Sequence, residues 1–111
     1  MEILHSEHII RTQIVSPQGR VDAFSIKTLA RRFDSLLDQG HAQFVVDLSN
    51  VSFLDSAGIA ALVTLLKRAR QMGGDVKLVW PQSETASRIL KLTKFDRVFD
   101  MHSEAATALP H

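Results

Sequence analysis

The segment Phe53-Leu54-Asp55-Ser56-Ala57-Gly58-Ile59 sets an acid, a hydroxyl and a glycine between two apolar runs. A serine in such a place has three chemistries open to it. As a helix N-cap, its hydroxyl would accept a hydrogen bond from the backbone N–H of Gly58 or Ile59. As a nucleophile, it would sit in a strand-turn-helix elbow of the type G-x-S-x-G. As a phosphoryl acceptor, it would exploit the free N–H groups and the positive dipole end of a helix N-terminus.

The nucleophile reading lacks its supporting parts. Gly58 fills the last place of the elbow, but Leu54 stands where the first glycine is required. A serine nucleophile also needs a positioned base. The histidines are His5, His8, His41, His102 and His111, and two of these lie at or near the chain ends. The phosphoacceptor reading asks for less. A phosphoryl group would add about −1.5 to −2 charge and would change the surface rather than the fold. On a helical wheel Ala57, Ala60, Ala61 and Thr64 point outward over the first two turns, and the first charge is Lys67. This predicts a flat, uncharged patch beside Ser56, suited to close docking of another protein. Asp55 makes its rim acidic, so a dianion there would repel an acidic partner.

Other reactive side chains read as structural. In His5-x-x-His8 an extended backbone puts the two rings on opposite faces, which argues against joint metal binding. Lys67, Arg68 and Arg70 read as helix-end cations on a solvated face. Trp80, before Pro81, reads as a packing residue. Neither a Walker loop nor G-x-G-x-x-G is present, so a phosphate-cradling nucleotide site has no support.

The elements that must position Ser56 follow from apolar periodicity. Glu2 to Pro17 reads as extended, with a turn at Ser16-Pro17-Gln18-Gly19. Ile26, Leu29, Phe33, Leu36 and Leu37 recur at helical spacing, with Asp22 or Ser25 as cap and Gly40 as stop. Phe44-Val45-Val46-Asp47-Leu48 reads as a buried strand. Ile59, Leu62, Val63, Leu66 and Ala69 form a second helical stripe, ended by Gly73-Gly74. Val76 to Trp80 reads as a strand closed by Pro81. Ser83 caps a third helix through Ala86, Ile89 and Leu90, Val98-Phe99 is a short strand, and Ser103 to Leu109 is a small final helix. Strand and helix alternate, which predicts an α/β domain with a partly parallel sheet.

The whole chain sets outer limits. Its 111 residues fit one domain with an ordinary core. The absence of cysteine excludes disulfides and thiolate chemistry and suits a reducing cytoplasm. The formal charge of +1 gives no electrostatic reason to bind nucleic acid. The start lacks the basic and apolar regions of a signal peptide. The longest apolar stretch, Ile59 to Leu66, falls short of the ~20 residues of a membrane helix.

Three places carry a family resemblance. Gly19-Arg20-Val21-Asp22 is similar to a G-x-(L/I/V)-D turn. Val45-Val46-Asp47-Leu48-Ser49, followed by Val51-Ser52-Phe53-Leu54-Asp55-Ser56-Ala57-Gly58-Ile59, is similar to a central VLDLS…D-S-(S/A)-G-(L/I) signature. Gly73-Gly74 precedes a Val-rich strand. Together, from about Glu2 to Leu109, they resemble the STAS domain family, which includes bacterial anti-sigma factor antagonists. The resemblance implies an α/β STAS fold over residues 1–111, with a mixed, partly parallel sheet of about 4–5 strands and about 4 helices.

The same resemblance implies function. Ser56 would be the regulatory phosphorylation site. The unphosphorylated protein would bind an ATP-using serine-kinase anti-sigma factor and free its sigma factor. Phosphorylation would release the kinase, and a metal-dependent serine phosphatase would reset the switch. The protein would be no enzyme and need no cofactor or metal. It would be cytoplasmic, a monomer when free, with at most weak dimerisation. The expected partner-binding surface comprises Asp22, Ser25, Asp55, Ser56, Ala57, Gly58, Ile59, Ala60, Ala61 and Thr64. The alternative is a constitutive scaffold or transport-complex subunit in which Ser56 is only a helix cap, and the intact Asp55-Ser56-Ala57-Gly58 argues against it. Two departures stand out. Ala57 replaces a second serine, and Pro17 is expected to end its strand early.

Overall fold

The computed structural model describes residues 1–7 and 11–109. In chain order the elements are β1 (Ile3–Glu7), β2 (Gln13–Pro17), β3 (Gly19–Val21), α1 (Ile26–Asp38), β4 (Gln43–Asp47) and β5 (Val51–Leu54). They continue with α2 (Ser56–Gln71), β6 (Asp75–Val79), α3 (Glu84–Leu92), a 3-10 turn at Phe95–Arg97, β7 (Asp100–His102) and α4 (Ala105–Ala108). A five-stranded sheet runs in the order β1-β2-β4-β6-β7, and β3 pairs with β5 in a separate two-stranded sheet. Only β1 is antiparallel in the large sheet. The three parallel steps are each crossed by one helix, α1, α2 or α3, as parallel pairing requires.

Alternation along β4 and β6 divides the core. Phe44, Val46, Val76 and Leu78 face the helical layer and join Leu29, Phe33, Leu62 and Leu66. Val45 and Val79 face the other side, where α4 covers them with Ala108. Both α1 and α2 end in the same way. Gly40 takes φ +92° and Gly73 φ +85°. The amides of Gly40 and His41 donate to Leu37 O and Leu36 O, and those of Gly73 and Gly74 to Arg70 O and Ala69 O. These are Schellman closures, which need a left-handed residue just past the helix.

Several sequence expectations are corrected. Between α1 and α2 lie two strands, not one: the chain leaves the large sheet at Asp47, turns, and pairs β5 with β3. Pro17 is the last residue of β2, paired opposite Ile3. The Ser16–Gly19 segment is therefore a transfer from one sheet to the other. The last strand is Asp100–His102, because Phe99 turns into the core (5% exposed) after the 3-10 turn. The final helix spans only Ala105–Ala108. Arg68 and Arg70 are more than a solvated face: Arg68 pairs with Asp34 and Asp38 of α1, and Arg70 with Asp75. His8 lies outside the described residues, while His5 hydrogen-bonds Gln13 at 2.6 Å. Trp80 packs on the core under Lys91, as a structural residue would.

Candidate functional site

The two-stranded sheet builds the site. It lays the end of β3 beside the end of β5, so the turn that follows Val21 meets the start of α2. Asp55 is the hub of this junction. Its backbone is extended, with φ −111° and ψ −175°. One carboxylate oxygen accepts from Gly58 N–H and the other from Ala23 N–H, both at 3.1 Å. Its own N–H donates to Val21 O at 3.3 Å.

Asp55, not Ser56, is thus the N-cap of α2. Its carboxylate offers two separate acceptor oxygens, so this single residue closes the helix end with one and tethers the facing turn with the other. Ser56 is the first helical residue. It is exposed, and its Oγ makes no hydrogen bond among the described residues. Loss of the cap carries a defined cost. Asp55→Ala is expected to destabilise the protein by about 1 kcal/mol and to speed amide exchange at both Gly58 and Ala23, as measured by denaturant melts and hydrogen-exchange NMR.

Asp22 organises the turn before α1. Its Oδ1 accepts from Phe24 N–H at 3.0 Å and Ser25 N–H at 3.1 Å. Its Oδ2 accepts from Arg20 Nε at 3.1 Å. Ser25 occupies the N-cap position but makes no side-chain cap bond. Instead its hydroxyl accepts from Asp22 N–H and donates to Arg20 O. Arg20 also lies over the Phe53 ring, 4.1 Å from its centroid. Burial pushes the Asp22 carboxyl up, but Arg20, the Ser25 and Phe24 amides and the Ser25 hydroxyl outweigh it, holding the pKa below the ordinary 3.8.

A folded-state pKa below the unfolded one stabilises the protein at higher pH, and the benefit vanishes as pH falls through the folded value. Asp22→Asn is therefore expected to melt earlier than wild type at neutral pH. The gap should close in acid below pH 3.8, which thermal melts along a pH series will measure.

The face beside Ser56 is not flat. Ala60 and Thr64 are exposed, and Ala57 and Ala61 are half-buried. They form a ridge between two hollows. A groove of about 580 Å³ lies between α2, α3 and the 3-10 turn, lined by Ser56, Ile59, Ala60, Val63, Ile89 and Phe95 among others. A cleft of about 220 Å³ separates α2 from α1, with Phe33, Asp34, Ala61, Thr64 and Arg68 in its walls. Neighbouring helices rise on both sides of α2, which a wheel of one helix cannot register.

Of the sequence-predicted residues, Asp22, Ser25, Asp55 and Ser56 meet at one junction, and Ala57, Ala60, Ala61 and Thr64 run along the ridge from it. Gly58 is buried, and a Cβ there would stand 2.8 Å from Val21 O and 2.9 Å from Val21 Cγ1. Its part is to let α2 approach β3. Ile59 is 5% exposed and forms the groove floor. Sequence reasoning read Val63 and Ile89 only as apolar stripes of their helices, and did not single out Thr93 and Phe95 in the groove or Phe24 in the Asp22 turn. None of the groove-lining residues is a histidine, and each Asp55 oxygen already accepts a backbone amide. Among the described residues no helix is long and apolar enough to cross a membrane.

Known proteins share this sequence pattern and fold. The STAS domain family profile matches residues 2–108. An anti-sigma factor antagonist homolog of Thermotoga neapolitana is 32% identical over 77 residues, covering 69% of this chain and 67% of that one. The anti-sigma-B factor antagonist of Bacillus subtilis is 27% identical over 105 residues, covering 95% of this chain and 92% of its own. The crystal structure of an anti-sigma factor antagonist from Thermotoga maritima superposes with a TM-score of 0.87 at 25% identity, covering 96% of this chain and 90% of that one.

Proposed function

Because the chain belongs to the STAS domain family, we propose that it is an anti-sigma factor antagonist whose binding is switched at Ser56. The observation that carries this reading is that Ser56 is exposed at the first position of α2 while Asp55 does the capping. The hydroxyl can be modified without dismantling the helix end. In the unmodified state the α2 ridge docks on an ATP-using serine-kinase anti-sigma factor, which then lets its sigma factor go. In the transfer step the Ser56 oxygen attacks the γ-phosphorus of ATP. The new O–P bond forms as the bond to the ADP oxygen breaks, and the hydroxyl proton passes to a base on the kinase.

The product places a dianion at the dipole end of α2, where the Ser56 and Ala57 amides are near. The fold tolerates it, and the docked partner does not. A metal-dependent serine phosphatase restores the hydroxyl. This chain is substrate and switch rather than catalyst, requires no cofactor, and works in the cytoplasm as a free monomer.

The test is direct. Incubation with ATP and the purified serine-kinase anti-sigma factors of the source organism should add one phosphoryl group by intact mass to wild type and none to Ser56→Ala. Modification at another residue, or at none, refutes the assignment.

A further inference from the structure

The groove beside Ser56 is walled by apolar side chains that the fold leaves half open. Val63 of α2, Ile89 of α3 and Phe95 of the 3-10 turn pack against the core yet stay partly exposed. Lys94, at φ +62°, turns the chain sharply between α3 and Phe95. A volume of about 580 Å³ lies within the range of small-molecule sites, which are mostly apolar with a few placed polar groups. Here the charged groups of the lining stand apart along α2. Asp55 is its one acid and Lys67 its one cation, twelve residues on. Asp55 already spends each oxygen on a backbone amide. Lys67 makes no ion pair among the described residues. The charges around the groove do not neutralise it. Arg88 is paired with Glu84, Lys91 lies over Trp80, and Arg68 and Arg70 are engaged by acids outside the groove. At the 3-10 turn, Lys94 and Arg97 outnumber Asp96.

We propose that this groove binds a small amphipathic monocarboxylate, with its headgroup at Lys67 and its chain laid toward Ser56, and that occupancy shields the serine. The second half rests on the reading of Ser56 as the switch. One free ammonium in the lining calls for one negative charge. The acid at the Ser56 end repels a carboxylate there, so the ligand has one orientation. Thr64 lies one turn before Lys67 on the same face, and its hydroxyl makes no hydrogen bond among the described residues, which leaves a donor for the headgroup. Ile59, Val63, Ile89 and Phe95 take the chain. Its length follows from the helix. Ser56 and Lys67 are separated by about 16 Å of helical rise. Helical side chains lean toward the N-terminus, and the lysine stem covers about 6 Å of that span. A staggered alkyl chain advances about 1.25 Å per carbon, so about eight carbons span the remainder.

The experiment titrates butanoate, hexanoate, octanoate and the uncharged octanol into the full chain, read by NMR shifts of the Val63 and Ile89 methyl groups. Octanoate is expected to saturate the shifts and to bind roughly tenfold more tightly than hexanoate, the ratio that two buried methylenes give. Lys67→Met keeps the stem and removes the charge. It should weaken octanoate about fivefold, as loss of an exposed ion pair does, and leave octanol and the melting temperature unchanged. Saturating octanoate should then slow phosphorylation of Ser56 by the purified serine-kinase anti-sigma factors about tenfold in wild type. Several results overturn the site. Octanoate that leaves the two methyl groups unshifted, an affinity independent of chain length, or equal binding of octanoate and octanol would each do so. If Lys67→Met weakens kinase binding and octanoate does not bind, the groove belongs to the protein partner and the proposal fails. If octanoate binds as expected but phosphorylation keeps its rate, the shielding is refuted. If octanoate binds and no kinase modifies Ser56, the ligand site stands and the switch, with the shielding, falls.

Discussion

Ser56→Asp is expected to weaken binding to the anti-sigma kinase by about a hundredfold or more, while Ser56→Ala stays within a few-fold of wild type. The expectation comes from where the charge lands. The Ser56 side chain is exposed and makes no cap bond, so neither substitution removes a hydrogen bond of the folded state. A carboxylate at the first helical position also interacts favourably with the helix dipole. Ser56→Asp should therefore melt at or slightly above the wild-type temperature. Its loss of binding then cannot be blamed on unfolding, and calorimetric titration beside a thermal melt separates the two. The ridge next to Ser56 carries no charge until Lys67, so close contact there leaves an added anion without a partner and without water. If all three proteins bind the same kinase equally, docking is constitutive and the serine does not control it.

How far the sequence foretold this site depends on how local each determinant is. The α3 start was legible, since Ser83 caps it and accepts from Ala86 N–H as its position suggests. The α2 start was half legible. Asp55 and Ser56 are both good caps, and the choice between them is made by Ala23, which offers a second amide from more than thirty residues away. No periodicity records that. The same is true of β5. Val51 to Leu54 is too short to show alternation, and it becomes a strand because the three residues Gly19–Val21 lie alongside it. At the other end of the domain, Val98-Phe99 looked strand-like by composition. Pairing with β6 instead selects Asp100–His102, which has no strand signature of its own. The flat patch expected beside Ser56 fails for a related reason. Ala57, Ala60, Ala61 and Thr64 were correctly placed on the outside of α2, but the hollows that make them a ridge belong to α1 and α3.

Gly74→Ala should be the most damaging small substitution in the protein. The position follows the left-handed Gly73 and leads directly into β6. A Cβ built there would stand 1.8 Å from Ala42 O and 2.4 Å from its carbonyl carbon. Both atoms are backbone, so no side chain can swing aside. That carbonyl is also committed, accepting from Asp75 N–H at 3.0 Å, and this bond sets the register of β6 on β4 through Asp75 and Gln43. Relief requires α2 to pull away from β4 or the ladder to open at its first rung. Overpacking of this kind costs about 3 kcal/mol or more, a fall in melting temperature of roughly 10–20 °C for a domain of this size. Gly73→Ala supplies the comparison. Its Cβ meets open space, and only the φ of +85° resists it, so its cost is about 1–2 kcal/mol. Denaturant melts of the two variants distinguish a steric origin from a conformational one. Equal losses would mean that α2 does not approach Ala42 as closely as described.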